Sequence, residues 1–166
     1  MDNNDILRRM RYALHLRDIQ MVDIFKLAEE KVSIPEVRSL LLKDSDEDYL
    51  QCNDEILEKF LDGLIIKHRG KQEPKPGQKP PAYEILNNNV ILRKIRIAME
   101  LREQAMLTVL ELGGMDISKT ELGALFRRKN HPHYMPCGDQ LLRNFLKGLA
   151  TYLGKHEEQE NPDSQD

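Results

Sequence analysis

Four arginines stand where a planar guanidinium would matter. Arg8 and Arg11 are spaced to share one face of a helix, and so are Arg93 and Arg96. Each guanidinium presents its donors in a fixed fork, so such a pair can grip a phosphate or a carboxylate-bearing partner. The same four side chains have a structural alternative, in which each pairs with Asp54 or Asp139. A second group of cations lies in Arg127-Arg128-Lys129-Asn130-His131-Pro132-His133. With Lys119 upstream, Arg127, Arg128 and Lys129 suit contacts to nucleic-acid phosphates, provided the segments around them form a helix-turn-helix. The connection from 113 to 118 is longer than the usual turn of that motif, which weakens the match.

His131, His133 and Cys137 carry ligand types that suit zinc or another transition metal. A structural zinc wants four ligands, and no fourth stands nearby, so no metal site is assigned. Cys52 and Cys137 read more simply as small buried residues just before a helix. Catalytic signatures are missing: there is no phosphate-binding P-loop, G-x-G-x-x-G, G-x-S-x-G or H-E-x-x-H. The expectation is therefore a protein that is not an enzyme and uses no cofactor.

What positions these residues is a duplication. Shifting the sequence by 85 residues lays Asn3–Arg69 on Asn88–Gly154 without a gap, and 22 of the 67 pairs are identical. About one identity in sixteen is expected for average composition, so this is a repeat. The shared residues include Asn4/Asn89, Arg8/Arg93, Arg11/Arg96, Tyr49/Tyr134, Cys52/Cys137, Asp54/Asp139 and Gly63/Gly148. Among the shared polar residues there is neither His nor Lys, which leaves few candidates for a general base. Between the copies, residues 70–87 open with a Pro-, Gly- and Lys-rich run that cannot hold a helix. Residues 155–166 are polar and acidic, and are predicted to be a disordered tail.

Within residues 1–69 and 88–154 the apolar spacing is helical. Ile6, Leu7, Met10 and Leu14 form one stripe; Met21, Ile24, Phe25 and Ala28 form a second. Ser33-x-x-Glu36 and Ser118-x-x-Glu121 mark the start of a third helix in each copy. The fourth is the most apolar, with Leu57, Phe60, Leu61 and Leu64 matched by Leu142, Phe145, Leu146 and Leu149. Asn53 or Asp54 caps it, and Gly70 or Gly154 ends it. Gly63 and Gly148 inside this helix predict close approach of another helix. The fold class is all-α: a four-helix unit present twice. One unit of about 67 residues buries a marginal core, so the two copies are predicted to pack about a pseudo-two-fold.

Two motifs carry a family resemblance. Asn-Asn-x-Ile-Leu-Arg-(Arg/Lys) occurs at Asn3–Arg9 and Asn88–Lys94; Cys-x-Asp-x-x-Leu-x-x-Phe-Leu-x-Gly-Leu occurs at Cys52–Leu64 and Cys137–Leu149. Both resemble the bacterial YehS-like family, whose members are tandem copies of a small domain of unknown function. The resemblance implies a bacterial, cytoplasmic protein and brings no activity, cofactor or site residues with it.

Composition fits that expectation. Two cysteines cannot build a disulfide scaffold, no apolar run is long enough to span a bilayer, and Met1-Asp2-Asn3-Asn4-Asp5 is unlike the start of a signal peptide. The net charge of −3 is an average: residues 3–69 carry −3, residues 88–154 carry +4, and the tail carries −4. The expected function is an interaction or regulatory protein that binds a protein partner in a groove between its repeats, through Arg8, Arg11, Arg93 and Arg96. The alternative is a nucleic-acid binder that uses the basic segment of the second repeat.

Overall fold

The computed structural model describes residues 1–71, 73, 75–78 and 84–160. The described residues form helices α1 (Asn3–Ala13), α2 (Asp18–Leu27), α3 (Ile34–Leu40), α4 (Asp54–Arg69), α5 (Asn88–Ala98), α6 (Glu103–Leu112), α7 (Lys119–Leu125) and α8 (Asp139–Glu160), with no strand among them. The all-α reading and the twice-repeated four-helix order therefore hold.

The helix starts follow from local chemistry. The side chains of Asp2, Asn53 and Asn87 accept from backbone N–H groups three residues on, at 2.8, 2.9 and 2.9 Å. Ser33 accepts from the Glu36 N–H and Ser118 from that of Glu121, while each glutamate reaches back to the serine's own N–H. These bonds satisfy donors that a helix leaves orphaned at its first turn.

The two glycines considered as helix ends behave differently. Gly70 takes φ +79 and closes α4. Gly154 does not: α8 runs through it to Glu160, which corrects the reading of a stop at 154 and of a disordered tail from 155. Glycine is only about 1 kcal/mol worse than alanine inside a helix. Here Tyr152 and Leu153 pack on the core before it, and the Tyr152 and His156 rings meet at 4.4 Å one turn apart. The Pro-rich run that follows Gly70 has no counterpart until Pro162. Residues 161–166 of the tail and 72, 74 and 79–83 of the linker lie outside the described residues.

Packing within each repeat rests on α2 against α4 and α6 against α8. The helices approach so closely that a Cβ at Gly63 would lie 1.9 Å from the Ile24 carbonyl oxygen, and one at Gly148 1.8 Å from that of Val109. Between repeats the packing is exchanged. α1 lies chiefly on α8, and α5 chiefly on α4, while each makes little contact with the fourth helix of its own repeat. Exchanging the repeats turns one of these faces into the other, which is the pseudo-two-fold arrangement. One continuous core results, running from Ile6, Met10 and Phe60 to Ile91, Phe145 and Leu149.

A buried amide ties each repeat's first helix to the loop before its fourth. Asn4, only 1% exposed, donates to the carbonyls of Leu40 and Leu50 and accepts from the Cys52 N–H and the Tyr49 hydroxyl, at 2.9–3.0 Å. Asn89 repeats the pattern with Leu125, Met135 and Cys137. Both amides satisfy loop groups that would otherwise be buried without partners.

Candidate functional site

The four shared arginines do not converge on one site. Arg8 bonds Asp5, one turn earlier, and donates to the Leu42 carbonyl at 2.9 Å. Burial pushes the Asp5 carboxyl up, but the Arg8 guanidinium outweighs this and holds it below its usual range. Arg93, at the corresponding position, has Val90 in place of that acid and pairs instead with Glu84 of the linker. Arg11 lies 3.7 Å from Asp18. Arg96 donates from Nε to the Leu101 carbonyl at 2.9 Å and stacks over the Phe126 ring at 4.6 Å. The structural alternative for these arginines also needs correcting in its partners. Asp54 and Asp139 accept from the amides of Asn3 and Asn88, at 2.8 and 2.7 Å, because those amides sit on the turn facing the fourth helix.

Several concave regions among the described residues are lined by cations, and two stand out by their make-up. The first is a groove of about 580 Å³ between α1 and α8, lined by Arg8, Arg9, Tyr12 and His15 of one repeat and by Leu146, Lys147, Ala150 and Thr151 of the other. Tyr12 is 73% exposed and half-buried Ala150 lies beside it, while Leu146, only 2% exposed, forms the floor. The pseudo-equivalent face, α4 on α5, also has a concavity, of about 490 Å³ and lined by Arg69, Arg96, Ile97 and Glu100, but cations on this face are matched by acids. Lys94, 16% exposed, sits against Asp62 and Glu58, and Arg69 pairs with Glu100. By the repeat register, Arg9 stands where Lys94 does and Lys147 where Asp62 does. An ion pair on one face is thus replaced by two cations on the other. Neither Arg9 nor Lys147 takes part in an ion pair among the described residues. The α1–α8 face is fastened at its start, where the Met1 amino group meets Asp139 at 3.0 Å.

The second region lies wholly in the second repeat. Arg93, Arg127, Arg128 and Lys129 surround a concavity of about 360 Å³ together with Glu84 and Tyr134. Lys119 is not part of it; its ammonium lies 3.7 Å from Glu103 across the α6–α7 connection. The residues named for nucleic-acid binding are therefore divided between two places. α7 has only seven residues, short for a helix meant to enter a groove.

The metal-type residues are also separated. The His131 and His133 rings lie 5.7 Å apart, His131 Nδ1 accepts from the His133 backbone, and Cys137 is buried with its sulfur turned to the Gly138 carbonyl. Among the described residues no three His, Cys, Asp or Glu side chains form a group able to hold a metal ion. Burial, with nearby carboxylates adding to it, pushes the thiols of Cys52 and Cys137 up to about 12 and about 11. Both are protonated at neutral pH, which suits packing rather than nucleophilic attack.

Arg9, Tyr12 and Lys147 were not singled out by the sequence reading. The signal was present as the charge exchange between Lys94/Asp62 and Arg9/Lys147, but it is readable only once α1 is known to pack on α8.

Residues 3–70 and 88–153 each match the family described as Protein of unknown function (DUF1456). The Uncharacterized protein YehS of Escherichia coli (strain K12) is 37% identical over 151 residues, covering 91% of this chain and 96% of that protein. No solved structure matches the chain. No helix among the described residues is long and apolar enough to cross a membrane. The gapless internal repeat, the doubled Asn amide and the paired family matches agree: this chain belongs to the DUF1456 family and carries its domain twice.

Proposed function

We propose that this chain is a non-enzymatic interaction protein that holds an acidic protein partner in the groove between α1 and α8. The observation that carries this reading is the contrast between the two inter-repeat faces. Lys94 pairs with Asp62 on one, whereas Arg9 and Lys147, in the same register, leave the other with unmatched positive charge beside the exposed Tyr12. A surface with cations rimming an exposed aromatic ring favours a partner that brings carboxylates and an apolar anchor. Arg8 is the one arginine of the expected four that lines this groove; Arg11 and Arg96 are engaged elsewhere and Arg93 belongs to the other concavity. Less supports the nucleic-acid alternative, since Lys119 lies beside Glu103 and outside the concavity lined by Arg127, Arg128 and Lys129.

The test is affinity capture from native lysate, with nuclease, comparing the wild-type chain with Lys147→Asp. That substitution copies Asp62 into the groove opposite Arg9. A nuclease-resistant protein held by the wild type and lost from the variant is the expected result. Equal capture by both, or capture that disappears with nuclease, overturns the proposal.

A further inference from the structure

We infer that the concavity of the second repeat is a binding site for a phosphate-bearing small molecule, gripped by Arg93, Arg127, Arg128 and Lys129, and that the Glu84 carboxylate occupies the phosphate's place. This goes beyond the α1–α8 groove and uses different residues. The same position in the first repeat is built differently. There Arg8 has a built-in carboxylate, Asp5, on its own helix, and Leu42 and Asp44 stand where the second repeat has Arg127 and Lys129. In the second repeat the built-in acid has become Val90, and the loop has exchanged an apolar residue and an acid for two cations. All three changes raise the positive potential of one concavity.

Glu84 shows how an oxyanion would sit. Its two oxygens meet the two Nη atoms of Arg93, Oε1 at 3.2 Å from Nη1 and Oε2 against Nη2. Two adjacent oxygens of a phosphate present themselves to a guanidinium in the same forked way. The bond to Arg93 outweighs burial and holds the Glu84 carboxyl below its usual range, so it is ionised when it fills this place. Yet the pair is weakly held: the Arg93 side chain is 40% exposed and that of Glu84 50%, and exposed pairs contribute little. Arg127, Arg128 and Lys129 have no ion pair among the described residues; Arg127 touches only the ring nitrogen of His131, at 3.2 Å. A doubly charged phosphate engages several of these cations at once, whereas Glu84 engages one. The volume of about 360 Å³ falls at the lower end of small-molecule sites.

The experiment is calorimetric titration of the full chain with inorganic pyrophosphate, beside an oligonucleotide lacking terminal phosphates. The wild type should bind pyrophosphate, and Glu84→Gln should bind it about tenfold more tightly because the internal competitor loses its charge. Val90→Asp, which restores the first repeat's built-in acid, and the exposed Arg127→Leu, which restores its neighbour, should each weaken binding about tenfold or more. Lys147→Asp should leave it unchanged, which separates this site from the groove. Absence of pyrophosphate binding in both wild type and Glu84→Gln overturns the inference. So does binding that Arg127→Leu and Val90→Asp do not alter, or an oligonucleotide that binds as tightly as pyrophosphate.

Discussion

The two faces on which the repeats meet are made from equivalent helices, α1 on α8 and α5 on α4, yet they have taken opposite charge designs. On α4–α5, Lys94 lies between Glu58 and Asp62, and Arg69 meets Glu100. On α1–α8 the residues in register with Glu58, Asp62 and Lys94 are Arg143, Lys147 and Arg9, all cations. Duplication presents every inter-repeat contact twice. Once one copy of a contact secures the assembly, the other is free to differ, and here the two differ in how their charges are matched. The same division recurs inside the repeats, where Arg8 keeps an acid on its own helix and Arg93 has lost it.

The features that have not diverged should be the most costly to disturb. Gly63→Ala places a methyl against the Ile24 carbonyl at 1.9 Å, and Gly148→Ala does the same at Val109. Each should destabilise by about 3 kcal/mol, since backbone must move rather than a flexible side chain. Urea unfolding checks this, with Gly123→Ala, which meets nothing within 4 Å, as the tolerated control. A neutral Gly63→Ala would mean that α2 and α4 are not in backbone contact.

The amide hub gives the next comparison. Asn4→Ala strands the Leu40 and Leu50 carbonyls and the Cys52 N–H in a buried site, at a cost of about 2–3 kcal/mol. Asn89→Ala should cost less, because Asn89 is less fully buried and lacks the tyrosine hydroxyl that Asn4 receives from Tyr49. Equal losses in chemical denaturation would show that the two hubs are equally enclosed.

A smaller effect separates the inter-repeat faces. Lys94→Gln removes the pairs with Asp62 and Glu58 and should lower stability by about 1 kcal/mol, an effect that high salt reduces. Arg9→Gln, in the same register, should be neutral in the same assay or slightly stabilising. A loss as large as that of Lys94→Gln would place a hidden anion opposite Arg9.

Much of the fold was legible in the sequence because it depends on local patterns. The 85-residue offset exposed the repeat, Ser33 and Ser118 marked helix starts, and Gly63 and Gly148 announced a close helix approach that the Ile24 and Val109 carbonyls supply. The end of α8 was misread because glycine stops a helix only when the chain turns there, as at Gly70 with φ +79, and a good helix-forming run follows Gly154. The arginines were recognised but not their partners. Asp5, Glu84 and the Leu101 carbonyl are local choices that spacing does not rank against Asp54 and Asp139. The groove was the least legible feature, since Arg9 and Lys147 lie in different repeats and meet only through the exchange of first helices.

The central claim is that the α1–α8 face lacks the ion pair that Lys94 and Asp62 make in the same register on the α4–α5 face. Equilibrium unfolding of Lys147→Asp at low and high salt tests it directly. Installing the residue that Asp62 represents, opposite Arg9, should raise the unfolding midpoint above that of the wild type at low salt, and the gain should fade as salt screens the new pair. A variant less stable than the wild type, or a gain indifferent to salt, would contradict the account.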